Sequence, residues 1–264
     1  LDFSEGKLLL SLSPPERRAY EEFDKYDLKT FLESAQAERI QSVEIIREGN
    51  SGGNLAISRA VSLLRGKNIK FCLVGGVDSL VEYPSLQWLD ENNRLKTDDR
   101  PTGFIPGEAS AFLVLELEES ARLRGAPIFG EVLNTTYTEE VANIFSDKPL
   151  FGTGLTDSIS KNFADQDIGI SQINGIICDL NGEYYRMKEW GLAQSRLFNG
   201  ESPVPELWHP AEYIGDIGAA SVFIYTAIAV AGMRNSYFNG KNILIWTSSD
   251  MGGRGSLLLT SHPD

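Results

Sequence analysis

The chain has 264 residues, 42% of them apolar and 23% charged, enough to bury one large core or two small ones. Its 24 Lys and Arg stand against 37 Asp and Glu, and the resulting formal charge of −13 repels phosphate backbones and argues against sequence-independent nucleic-acid binding. No apolar run approaches the roughly 18 residues of a membrane span, and no export leader is visible. Two cysteines, Cys72 and Cys178, and two histidines, His209 and His262, offer neither a disulfide framework nor a zinc site. A reduced, cytoplasmic protein without metal, cofactor, nucleic acid or membrane as partner is expected.

In chain order, residues 7–12 (KLLLSL) read as a strand. Pro14-Pro15 then opens a helix from 16 to about 38, with Tyr20, Phe23, Leu28, Phe31, Leu32 and Ala35 on its apolar face. Residues 43–46 are a short strand. Asn50 stands where an N-cap belongs, before a helix that runs through Leu64. Residues 69–74 (IKFCLV) have the length of a buried strand, which Gly75-Gly76 are expected to stop. Residues 111–117 and 128–133 follow as strands, 155–163 as a helix, 173–178 as a strand and 218–233 as an Ala-rich apolar helix. Residues 243–246 and 256–260 finish as strands around a glycine turn, and GTGLTDS at 152–158 reads as a turn into a helix. The longest irregular stretches are 134–152 and 198–210. Strands alternating with helices predict mixed α/β layers with sheets covered on both faces. No Pro/Ser/Gly linker divides the chain, so residues 1–264 are expected to form a single domain.

Four segments together resemble the thiolase-like superfamily, and most closely its β-ketoacyl synthase branch. Residues 103–126 (GFIPGEASAFLVLELEESARLRGA) are similar to the synthase turn that leads into a strand ending Leu-Glu and then a helix ending Arg-Gly-Ala. Residues 60–79 (AVSLLRGKNIKFCLVGGVDS) resemble the preceding helix, strand and Gly-Gly-Val-Asp turn. Residues 215–221 (GDIGAAS) resemble a Gly-Asn-x-x-Ala-Ala-Ser turn, and 248–259 (SSDMGGRGSLLL) the terminal glycine turn and strand. The resemblance spans about 42–260. It implies a layered α-β-α-β-α fold of two similar halves, about 1–130 and 131–264 here, with a shortened N-terminal half.

The family's condensing enzymes form a thioester on a cysteine at the start of a buried helix, where the helix N-terminus favours thiolate and oxyanion. Two further groups, His-His or His-Asn, stabilise the enolate. Counting from Ala56 and from Gly75-Gly76 puts the nucleophile position at Asn50. The first histidine position falls at Asp179 and the second at Asp216. Cys72 lies inside an apolar run and reads as core. His209 reads as a loop or packing residue and His262 as a solvated tail residue. Glu108 and Asp78 read as structural turn residues. Asp179 and Asp216 are expected to face the Asn50 helix, either as a carboxylate pair sharing a proton or as caps of local turns.

Three readings of function follow. The first is a non-condensing homologue, an acyl-binding or accessory subunit, for an acyl thioester or acyl-carrier ligand. The second is an active acyltransferase or thioester hydrolase with a site rebuilt on Ser51 or on Asp179 and Asp216. The third is a structural protein with a filled cleft. Arg65, Lys67, Lys70, Arg122 and Arg124 are candidates for a basic carrier-docking patch. The resemblance also implies a homodimer through the strand at 42–47, whose Val43, Ile45 and Ile46 suit an edge that needs a partner.

Overall fold

Two mixed sheets frame this computed structural model, which describes residues 3–17, 42–66, 69–199 and 205–262. The first contains β1 (Gly6–Ser11), β2 (Ser42–Ile46), β3 (Phe71–Ser79) and β4 (Glu108–Glu116), in the order β2-β1-β3-β4. The second contains β5 (Glu131–Glu139), β6 (Gly175–Cys178), β7 (Glu206–Trp208), β8 (Asn242–Ser248) and β9 (Gly253–Thr260), in the order β5-β9-β8-β6-β7. The helix expected from 16 to 38 lies almost wholly outside the described residues.

Two helices fill the space between the sheets. Helix α1 (Gly52–Arg65) contributes Ala56, Ile57, Ala60 and Leu64 to the central core. The late helix Ser221–Arg234 contributes Val222, Phe223, Tyr225 and Ala229. These pack against Leu9, Cys72 and Val74 of the first sheet and Ile243, Ile245, Leu257 and Leu259 of the second. Burying each such Leu, Ile or Phe stabilises the fold by roughly 1.5–3 kcal/mol. The remaining helices in chain order are α2 (Tyr83–Glu91), α3 (Glu118–Leu123), α4 (Thr153–Asn162), α5 (Tyr184–Leu197) and α6 (Ala211–Ile214), which makes Ser221–Arg234 α7. Helices α4 and α5 cover the outer face of the second sheet, where Leu155, Ile159 and Trp190 meet Ile176, Leu244, Trp246 and Leu258.

The two sheets repeat one topology. In the first, β1 runs parallel to β2 and β3, and β3 pairs antiparallel with β4. In the second, β6 runs parallel to β7 and β8, and β8 pairs antiparallel with β9. Helices α1 and α7 each have 14 residues, and each follows a tight turn that begins at a left-handed glycine, Gly49 at φ +58° and Gly218 at φ +52°. Among the described residues only the second sheet has a further strand: β5 pairs antiparallel with the outer edge of β9.

Several expectations need correction. Gly75 and Gly76 do not stop β3, which continues to Ser79. They are needed inside it, because the Phe112 ring lies over Gly75 and the Ala219 carbonyl over Gly76, leaving no room for a Cβ. Of the stretch 134–152, expected to be irregular, residues 134–139 belong to β5, and 198–210 contains β7. Asn50 does not cap α1; it belongs to the turn Gly49–Ser51, and its side chain bonds elsewhere.

Candidate functional site

The turns that start α1 and α7 meet at the C-terminal ends of β1, β3, β6 and β8, the end of an α/β layer where ligands generally bind. Asp78, near the end of β3, accepts the Ala219 N–H at 2.8 Å, and Ser249, just after β8, accepts the Ser51 N–H at 2.9 Å. Asp216 accepts the Gly218 N–H at 3.0 Å, so it does bind the turn that starts α7.

The sequence-derived positions converge here. Asn50 Nδ2 donates to Asp216 Oδ1 at 3.2 Å. Asp179, directly after β6, is not in contact with Asp216 as a proton-sharing pair. The Arg186 guanidinium lies between them, 2.7 Å from Asp179 and 4.0 Å from Asp216. Arg186 stands on the first turn of α5 and is 3% exposed. Asp179 also accepts the Ser248 N–H at 2.8 Å.

A second buried arginine extends the cluster. Arg94, just beyond α2, holds both oxygens of Glu183 at 2.8 and 2.9 Å and both oxygens of Asp250 at 2.6 and 3.0 Å. Its guanidinium lies 5.5 Å from the Trp88 ring centre and 5.3 Å from that of Phe104, positions of cation–π attraction. Arg17 pairs with Asp78. Asn181 donates to Asp216 at 2.8 Å and to Glu183 at 3.1 Å. Three guanidinium groups thus face five carboxylates: Asp78, Asp179, Glu183, Asp216 and Asp250.

Burial and the paired charges together set the proton affinities. Burial pushes the Asp179 carboxyl up to about 6, outweighing the pull of Arg186. Asp78 is raised by burial too, despite Arg17. At Asp250 burial also raises the value, but the combined pull of Arg94 and Arg186 wins and holds it at about 2. The carboxylates hold Arg94 and Arg186 firmly protonated against a burial effect of opposite sign.

The space left among these groups is small. A cavity of about 50 Å³ is lined by Asn50, Asp78, Arg94, Arg186, Asp216 and Asp250, among others. One water occupies ~30 Å³ of liquid volume, whereas ligand pockets run to roughly 300–1,000 Å³.

The other candidates take no part in the ion pairs of this cluster. Ser51 is fully buried and shares a 2.7 Å hydrogen bond with Ser249, and both histidines lie elsewhere, bonded to other groups. Cys72 is core, its thiol pushed up to about 11 by burial, and Cys178 is likewise buried and raised. His209 pairs with Glu212 on the surface, and His262 packs near Arg122 and Glu118. Glu108 accepts from Ser79 at 3.0 Å. Of the basic candidates, Lys70 pairs with Glu5, Arg122 with Glu118 and Arg124 with Glu116; Lys67 lies outside the described residues. Among the described residues no cluster of His, Cys, Asp or Glu is arranged to hold a metal ion, and no helix is long and apolar enough to cross a membrane.

Sequence reasoning missed Arg17, Arg94, Glu183, Arg186 and Asp250. Their signal is faint: charged residues beside apolar ones in short elements, with no fixed spacing linking Arg94 to Arg186.

No protein-family model and no curated protein sequence matches this chain. Solved structures do. The AntDE:AntF structure, a type II PKS acyl-carrier protein in complex with its ketosynthase, superposes with a TM-score of 0.85 at 14% identity, over 100% of this chain and 79% of that one. The ketosynthase from module 6 of the bacillaene synthase of Bacillus subtilis 168 gives 0.84 at 14% identity, with the chain spanning 55% of its length. The ishigamide ketosynthase/chain length factor gives 0.80 at 18% identity, over 98% of this chain and 76% of that one. The fold of this chain is that of the thiolase-like ketosynthases.

Proposed function

We infer that this chain is a non-condensing homologue of the ketosynthases, an accessory subunit that retains the fold while its own arginines fill the chemical site. One observation supports this most directly: the Arg186 guanidinium bridges Asp179 and Asp216 beside Asn50, at the three positions where the resemblance puts a nucleophile and its two supporting groups. A condensing site needs a thiolate and neutral donors aimed at the developing enolate. Here a carboxamide stands at the nucleophile position and carboxylates at the other two. Among the described residues, the cavity of about 50 Å³ is also well below the roughly 300–1,000 Å³ of a ligand pocket.

A site rebuilt on Ser51 has less support. Its hydroxyl is buried against Ser249, and the Asp179 and Asp216 carboxylates are committed to Arg186. As partner we propose a second copy across the open edge of β2, which pairs on one side only with β1 among the described residues. Light scattering at micromolar concentration tests this, and a monomer rejects it. The functional reading is tested by incubating the protein with acyl-CoA and malonyl thioesters, then examining intact mass and products. Unmodified protein and unreacted thioesters are expected. An acyl adduct on any residue, or a β-ketoacyl product above background, would falsify the non-condensing reading.

A further inference from the structure

Strands β3 and β4 are antiparallel neighbours, yet no tight turn joins them: residues 80–107, which include α2, leave the sheet and return to it. Hairpin loops usually span roughly 2–5 residues, and longer excursions inside a compact domain generally serve function. This excursion is closed at its neck, where the Leu80 N–H donates to the Gly107 carbonyl at 3.0 Å. Farther out it is satisfied within itself. The Lys96 N–H donates to the Phe104 carbonyl at 3.0 Å, and the Phe104 N–H to the Arg94 carbonyl at 2.9 Å. Leu80, Leu89 and Phe104 form a small core of their own, flanked by Trp88 and Leu95 and separate from the central core.

The unit sits over the charged cluster. Trp88, Leu89, Arg94 and Phe104 line the cavity beside Asn50, Arg186 and Asp216. The neck is fastened to the main chain of the site: the Gly107 N–H donates to the Asp216 carbonyl and the Asp216 N–H to the Ile105 carbonyl, both at 2.8 Å. Beyond the neck the hold on the second half is made by side chains. Arg94 reaches across to Glu183 and Asp250, Trp88 meets Phe145 edge-on at 6.0 Å, and the Gly103 carbonyl lies against Gly182. The Trp88 and Phe104 rings that attract the Arg94 guanidinium belong to the same excursion, so the arginine carries these partners with it.

We propose that residues 81–104 form a cap that opens as one unit on the neck between Leu80 and Gly107, with Arg94 as the latch that holds it over the site at Asn50 and Asp216. Opening exchanges the Arg94 pairs for water, while the internal hydrogen bonds, the small core and the contacts of Arg94 with Trp88 and Phe104 stay in place. The open state therefore lies between the native state and the unfolded chain in free energy, as a local opening does. It brings Asn50, Arg186 and Asp216 to solvent by a wider route than the closed cavity of about 50 Å³ allows. The proposal rests on this geometry and is independent of the functional reading.

Native-state hydrogen exchange across a urea series tests this. The amides of Arg94, Lys96 and Phe104 are expected to share one opening free energy and a shallow urea slope, and to exchange faster than those of β3, β8 and β9 by roughly tenfold or more. In Arg94→Gln the same amides are expected to exchange roughly a hundredfold faster than in the unmodified protein, with the shallow slope kept, because one side of a buried pair is gone. Asp250→Asn removes half of the latch and is expected to give a smaller acceleration of the same group. Arg100→Gln is the control: its pair with Asp90 lies within the cap and survives opening, so exchange is expected to stay within roughly fivefold. The proposal is overturned if these amides follow the free energy and steep slope of the central strands, since the cap then opens only with global unfolding. It is equally overturned if Arg94→Gln leaves their exchange unchanged, or if Arg100→Gln accelerates them as much. Should Arg94→Gln not fold, the unmodified protein and Asp250→Asn decide between these outcomes.

Discussion

Arg186 stands between Asp179 and Asp216, 2.7 Å from one and 4.0 Å from the other, and so replaces a shared proton with a fixed positive charge. Both groups are buried, so the arrangement is held by the balance between desolvation and attraction. Replacing Arg186→Met keeps much of the volume and removes the charge. Asp179, Glu183, Asp216 and Asp250 then face one another with Arg94, Arg17 and the more distant Arg254 to offset them. Breaking one side of such a buried pair costs about 3–5 kcal/mol. Urea unfolding near neutral pH should show a loss of this size, and adding Asp179→Asn should recover part of it. A loss below ~1 kcal/mol, the range of exposed pairs, would mean that the cluster is solvated.

The same pair sets a pH dependence. The folded-state value at Asp179, raised to about 6 by burial, exceeds the ordinary unfolded value near 3.9. The folded protein therefore holds this proton more tightly than the unfolded chain. The resulting stabilisation is complete below about pH 4 and is lost as pH rises through 6. Asp250 acts in the opposite sense: held at about 2, it stabilises above about pH 4 and loses that contribution as pH falls toward 2. Asp179→Asn cannot titrate. Measured against this variant, the unmodified protein should lose up to about 3 kcal/mol between pH 4 and 7. A stability difference that stays flat across that range would exclude Asp179 as the titrating group.

How far the sequence anticipates this depends on the physics of each element. Strands such as β8 and β9 are buried at every position, and their unbroken apolar runs are readable. Helix α5 is not, because it buries Arg186 and Glu189 along with Trp190 and Ala193, and inward charges erase the apolar stripe. Helix α2 buries only Ser85 and Leu89, too few positions to set a period. Gly75-Gly76 look like a stop because glycine usually punctuates strands; only the Phe112 ring and the Ala219 carbonyl reveal why they lie within one. That Asn50 and Asp216 meet is consistent with counting along the resembling segments. The arginines that pair with Asp179 and its neighbours carry no such signal, since Arg94 and Arg186 reach the shared carboxylates Glu183 and Asp250 only through tertiary folding.

Gly76 gives a direct test of that packing. A methyl group at this position runs into the Ala219 carbonyl, a backbone atom with little freedom to retreat. Gly76→Ala should push the start of α7 away from β3 and weaken the Ala219 N–H bond to Asp78. Overpacking of this kind costs typically about 1–3 kcal/mol. Thermal unfolding should show a lower Tm, and slower-exchanging amides at 218–221 should become faster. An unchanged Tm would mean that the two turns are not in the close contact described.

The last prediction concerns Asn50, where the resemblance implies a nucleophile. Asn50→Cys places a thiol at the turn before α1, where the helix N-terminus would favour a thiolate by about 0.3–1 kcal/mol. Asp216 opposes it: the Asn50 side chain lies 3.2 Å from that carboxylate. At an effective dielectric near 20, two unit charges ~4 Å apart repel by about 4 kcal/mol, equivalent to roughly three pKa units. The positive charge of Arg186 is shared with Asp179, Glu183 and Asp250, so it offsets only part of this repulsion. The introduced thiol should therefore titrate above the ordinary cysteine value of about 8.5 rather than below it. Alkylation by iodoacetamide as a function of pH reads this directly, with little reaction near neutrality. Adding Asp216→Asn to Asn50→Cys should shift the profile downward by roughly a unit or more, because the repelling charge is gone. If the proposed non-condensing reading holds, neither variant accumulates an acyl enzyme from acyl-CoA, since Asp179 still places a carboxylate where the resemblance implies a neutral donor. An introduced thiol that alkylates fully below about pH 7 in the single variant, or one that becomes acylated, would show that Asp216 does not control this site.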